Sequence, residues 1–150
     1  MKHPDFAPAL HFFRNYCHRV LAVGLLFLYG CELTNEEVLN SRAAFVGSFS
    51  MNQSCRGANT STDKYTLRIS QGSGGNTILL ENMAPFATKI VATVAGNTLT
   101  ISPQNVAFSG LARQATVSGS GTLTDGSVLE IDFDYDFGGN NRCSAKGFKL

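Results

Sequence analysis

The chain has 150 residues, with 12 Lys and Arg against 11 Asp and Glu, which is the length of one domain with a charge balance close to zero. The basic residues are scattered singly rather than clustered, so no stripe exists to displace counterions from phosphates, and this argues against a nucleic-acid partner. Charged residues make up only 15%, Gly numbers 15 and Trp is absent, a composition that points to an extracytoplasmic β protein rather than a helical or disordered one.

The N-terminus carries Lys2, Arg14 and Arg19 ahead of an uncharged apolar run from Val20 to Tyr29, the layout of a secretion signal. As a helix that run would span about half of a hydrocarbon core of roughly 30 Å, so a transmembrane segment is the weaker reading. Leu28-Tyr29-Gly30-Cys31 follows directly, and it resembles the lipobox of bacterial lipoproteins. The resemblance implies diacylglyceryl transfer to the Cys31 thiol, cleavage before Cys31 and acylation of the new amino terminus, with Tyr29 departing from the small residue usual at its position. Acyl chains at about 0.8 kcal/mol per buried methylene would then hold the domain on a membrane. The alternatives are a signal cut elsewhere, or an uncleaved anchor in which Cys31 is an ordinary buried thiol. On the lipoprotein reading residues 1–30 are a signal-peptide helix, residues 31–44 a short tether and residues 45–150 the folded domain. The acidic pair Glu36-Glu37 faintly resembles surface-export signals, and a plain charged linker would look the same.

Removing residues 1–30 leaves nine basic against ten acidic side chains and takes away His3, His11 and His18, the only histidines. The domain is thus expected to be non-catalytic. Ser-His-Asp and Cys-His chemistry, His general-base chemistry near neutral pH and His-ligated zinc all lack their essential residue. Cys17 leaves with the signal and Cys31 is the lipid site, so Cys55 and Cys143 remain as an even pair. In an oxidising envelope the simplest reading is a disulfide, with free buried thiols or a metal pair as alternatives.

From Phe45 onward apolar and polar residues alternate with period two, and turn residues recur every eight to twelve positions, as in antiparallel sheet with one buried face. Phe45, Gly47, Phe49 and Met51 begin the series. Tyr65, Leu67 and Ile69 form the next strand, and Gly72-Ser73-Gly74-Gly75 connects it to Ile78 and Leu80. After Pro85 come Ile90, Ala92 and Val94, then a turn at Gly96-Asn97 and a short strand, Leu99 and Ile101, that Pro103 ends. Val106 and Phe108 suggest a further strand, and residues 115–123 alternate small residues with Thr and Ser. The clearest strand runs from Val128 to Phe137, with Leu129, Ile131, Phe133, Tyr135 and Phe137 on one face and Glu130, Asp132, Asp134 and Asp136 on the other. A last strand holds Cys143 and Ala145. About eight short strands, no helix-period segment and a disulfide joining the two ends predict a small antiparallel up-and-down barrel, with a two-sheet β-sandwich as the alternative.

The order Gly47-Ser48-Phe49, Cys55, Tyr65-Thr66-Leu67-Arg68-Ile69, Val94 to Ile101, Gln104, Ser118 to Thr122 and Cys143 resembles small uncharacterised β-rich lipoproteins of Bacteroidota. That resemblance implies a lipid-anchored envelope protein, in the outer membrane, with a lipocalin-like barrel, and supplies no activity. The Gly-x-Trp of true lipocalins appears here as Gly47-Ser48-Phe49.

The row Glu130, Asp132, Asp134 and Asp136 places like charges about 6.5 to 7 Å apart on one strand face. It starts like a calcium loop but has Phe137 where the turn needs Gly and Cys143 where the loop ends in Glu, so it reads as a solvated outer face, and no metal or cofactor is expected. The polar stretch from Arg56 to Asp63 reads as a loop at the barrel mouth, making Arg56 and Asp63 the candidate binding residues. The expected partners are the membrane, through acyl chains on Cys31, and an unknown protein or a small apolar ligand. The ligand would need an unfilled interior, which the small residues Gly119 and Gly121 would allow.

Overall fold

The structure, a computed structural model, describes residues 41–150, so the apolar run, Cys31 and most of the expected tether lie outside the described residues. Eight strands follow in chain order: β1 (Gly47–Gly57), β2 (Ser61–Gln71), β3 (Thr77–Glu81), β4 (Ile90–Ala95), β5 (Thr98–Ala107), β6 (Gln114–Thr124), β7 (Val128–Asp136) and β8 (Asn140–Lys149). Each pairs antiparallel with its sequence neighbours, and β8 pairs back onto β1, closing a barrel and excluding the sandwich.

The period-two pattern is what closes it. On β7, Leu129, Ile131, Phe133 and Tyr135 are buried while Glu130, Asp132, Asp134 and Asp136 are exposed. Phe49, Met51, Leu67, Ile69, Ile78, Leu80, Ile90 and Leu99 meet them in the centre, none more than 1% exposed. Burial of this interior is the main stabilising term. Gly119 and Gly121 do not open it. A Cβ at Gly119 would lie 2.7 Å from Cβ of Phe133, and one at Gly121 would lie 3.2 Å from Cγ of Leu99, so neighbouring chains already occupy the space. Gly147 serves the same end, because a Cβ there would collide with the sulfur of Met51.

Three expectations are corrected. Residues 41–45 are helical, so Phe45 does not begin the first strand but lies fully buried beside the start of β1. Arg42 on this turn donates to the carbonyl of Gly74 at 2.7 Å, and Lys149 donates to the carbonyl of Ala44 at 2.8 Å. Second, Pro103 does not end a strand. Leu99, Ile101 and Val106 belong to one strand, β5, whose pairing with β6 shifts register between Ile101 and Gln104, and an irregularity is where a residue without N–H is tolerated. Third, the stretch from Arg56 to Asp63 is mostly strand. Only residues 58–60 connect β1 to β2.

Candidate functional site

The registers sort the connections into two ends. At the end where β1 starts lie residues 41–45 and the tight β2–β3, β4–β5 and β6–β7 turns; Asp125 and Gly126 form the last of these with φ of 51° and 66°. At the opposite end lie residues 58–60, the longer connections 82–89 and 108–113, and residues 137–139. This second end is the mouth.

The mouth has an aromatic half and a polar half. The aromatic half is built by the two long connections, which hold each other: Phe86 and Phe108 form an isolated bridge, Ala87 N–H donates to the carbonyl of Ala107 at 2.9 Å and Ser109 N–H to that of Pro85 at 2.9 Å. Phe86 is thereby laid over the interior, 5% exposed, edge-on to Tyr135 with centroids 5.6 Å apart and edge-on to Phe108 at 6.1 Å. Phe108 stacks on Phe137 at 4.2 Å and 17°, and both rings are half-buried. The Arg113 guanidinium stands 5.3 Å from the Phe137 centroid, a cation–π contact.

The polar half comes from β1, β2 and β8. Gln53 and Asn141 are inward and each 1% exposed, which demands partners. Tyr65 Oη donates to Oε1 of Gln53 at 2.9 Å, and Gln53 Nε2 reaches the sulfur of Cys55 at 3.3 Å, a weak acceptor. Asn141 accepts from the Asn59 N–H at 2.6 Å and donates to the carbonyl of Gly139 at 2.8 Å. Cys55 and Cys143 are directly opposed across the β1–β8 seam with Cα atoms 4.1 Å apart, and their sulfurs are joined at 1.98 Å.

The two candidate binding residues part company here. Arg56 points outward, exposed, opposite Arg142 on β8. Asp63 lies on the inward face opposite Gln53, half-buried, and accepts from Ser61 Oγ at 3.0 Å. Among the described residues it makes no ion pair. Burial first, and the charge of Asp63 second, push the phenols of both Tyr65 and Tyr135 above their ordinary range. Tyr135 as a whole residue is 4% exposed.

On the outer wall, the carboxylates of β7 are exposed, as the alternation predicts. Glu130 pairs with Lys146 at 2.5 Å and Asp134 with Arg142 at 3.0 Å, exposed contacts worth less than about 1 kcal/mol each. Two open depressions of about 520 and 440 Å³ share Asp134 and Arg142, and Arg56 lines the larger. No group of three or more metal-ligating side chains converges among the described residues.

The aromatic mouth was partly hidden from sequence reasoning. Phe86 lies in a connection, where periodicity carries no information, Phe108 falls just beyond β5 rather than in the further strand its spacing from Val106 suggests, and Gln53 and Asn141 break the apolar inward series on their strands.

Fold and site together define a small closed antiparallel β-barrel with an amphipathic mouth. Two solved structures share that fold: a redesigned β-barrel, b11L5F_LGL, at 12% identity and TM-score 0.51 over 73% of this chain and 95% of that one, and EF1p2_mFAP2b bound to DFHBI, at 13% identity and TM-score 0.56 over 76% and 99%. No family model and no curated protein matches the chain.

Proposed function

We propose that the chain is a lipid-anchored, non-catalytic envelope protein whose barrel binds a small molecule at its mouth. The observation that carries the binding reading is the pairing, at one barrel end, of the half-buried Phe108–Phe137 stack with the inward, half-buried carboxylate of Asp63, which makes no ion pair among the described residues. An apolar wall with a few convergent polar groups is the usual make-up of a ligand site. That a barrel of this fold is bound to DFHBI supports the reading. Anchoring rests on Leu28-Tyr29-Gly30-Cys31, and the lack of catalysis on the absence of histidine after residue 18.

Native mass spectrometry of the protein extracted from its own membranes tests both halves. The expected species starts at Cys31 with acyl chains attached and carries an added mass that leaves on denaturation and is lost in Phe137→Ala. An unacylated terminus elsewhere overturns the anchor. A bound mass that Phe137→Ala retains overturns the mouth as the site.

A further inference from the structure

We propose that the barrel end carrying Phe148 and Leu150 rests in the surface of the bilayer that holds the acyl chains, so that the mouth at the opposite end faces away from it; this deepens the anchored reading and rests on it. Phe148 lies on the outer face of β8, directly opposite Val128 on β7 and Ser50 on β1. It is 57% exposed, Leu150 two residues on is 76% exposed, and Val128 is half-buried. Among the described residues Phe148 and Leu150 are the two most exposed large hydrophobic side chains. The exposed Ala43 and Ala44 adjoin them, held at the end of β8 where Lys149 Nζ donates to the carbonyl of Ala44 at 2.8 Å.

Exposed apolar side chains taken singly need no explanation, and these gain theirs from where they sit. Residues 41–45, through which the chain enters β1, pack at the same barrel end, and Leu150 N–H donates to the carbonyl of Ser48 at 2.9 Å. On the anchored reading nine residues, 32–40, separate the acylated Cys31 from residue 41, a reach of at most about 35 Å. The ten residues of β8 extend about as far, so the near end of the barrel stays within one barrel length of the lipid. Within that range the apolar side chains of the near end meet the bilayer and leave water there. An aromatic ring at headgroup depth is the arrangement of membrane aromatic belts. Lys146, two residues before Phe148 on the same face, and Lys149 are exposed beside the patch, placing ammonium groups at the same depth with their stems along apolar surface.

The chain has no Trp, so Phe148→Trp and Leu111→Trp each install a single reporter, one at either end of the barrel. Both positions are exposed, Leu111 by 50%, and accept an indole without repacking the interior. Each variant, extracted from its own membranes, is reconstituted into phosphatidylcholine vesicles with and without bromine on the upper acyl chain. Phe148→Trp is expected to lose about half its emission to the brominated lipid, as an indole at aromatic-belt depth does, and Leu111→Trp to keep its own. Equal quenching at the two positions, or none at Phe148→Trp, in protein that floats with the vesicles overturns the orientation and leaves the anchor standing. Emission of Phe148→Trp that is blue-shifted but unquenched assigns the patch to a protein partner and likewise overturns it. Protein that fails to float and has an unacylated terminus overturns the anchor, and the orientation with it.

Discussion

Tyr65 shows how one side chain records its surroundings. It packs partly buried with Oη bound to Gln53, and burial, reinforced by Asp63, raises its pKa above the ordinary 10.0. A phenol whose folded pKa is raised holds its proton more tightly in the native state. Its contribution to stability is therefore whole below the unfolded pKa and is lost as pH rises toward the folded one. Denaturant midpoints are expected to fall above about pH 10, by up to about 1.4 kcal/mol per pH unit from this residue, and Tyr65→Phe to remove that share. Equal slopes in the two proteins between pH 10 and about 12 would show that Tyr65 is not the source. Asp63 illustrates the limit of reading single residues from sequence. Its polarity suggests a loop, yet the register with Gln53 turns it inward, and only pairing supplies that information.

At the scale of elements, the β4–β5 seam is the weak join. Backbone pairing links the two strands at Thr93↔Thr100, Val94↔Leu99 and Ala95↔Thr98, and then stops where β5 shifts register. Gln104 repairs the gap with its side chain, donating from Nε2 to the carbonyl of Val91 at 2.7 Å and accepting from the Val91 N–H at 3.0 Å, as a neighbouring peptide would. Gln104→Ala is expected to lower stability by about 1 kcal/mol and to speed hydrogen exchange at Val91 by about tenfold, leaving β6–β8 amides unchanged. Uniform acceleration across all strands would argue against a local join. The strands themselves were legible where one face is apolar and the other charged, as in β7. They were not legible at β5, because Pro103 signals an end in isolation and only the neighbouring strand shows that pairing resumes beyond it. Likewise five residues, 41–45, are too few for a helical period to be read.

At the scale of the whole molecule, the barrel is a ring in which seven seams join consecutive strands and one, β1–β8, joins the first strand to the last. The Cys55–Cys143 bridge crosses that last seam with a sequence separation of 88. Closing a loop of that length restricts the unfolded chain by about 4 kcal/mol on the chain-entropy model, so the double variant Cys55→Ser, Cys143→Ser is expected to lose stability on that scale, read from its denaturant midpoint. A loss below about 1 kcal/mol would show that the remaining contacts hold the seam alone.

Ring closure also sets an order in time. The consecutive hairpins can form from local contacts, whereas β1 meets β8 only after the chain between them has been laid down, and contacts so distant in sequence form slowly. Until then the growing sheet carries two raw edges, each able to recruit another copy of the same strands, and afterwards the ring has none. The hazard of self-association in this protein thus belongs to its nascent life rather than its native one, and it ends when the final strand finds the first.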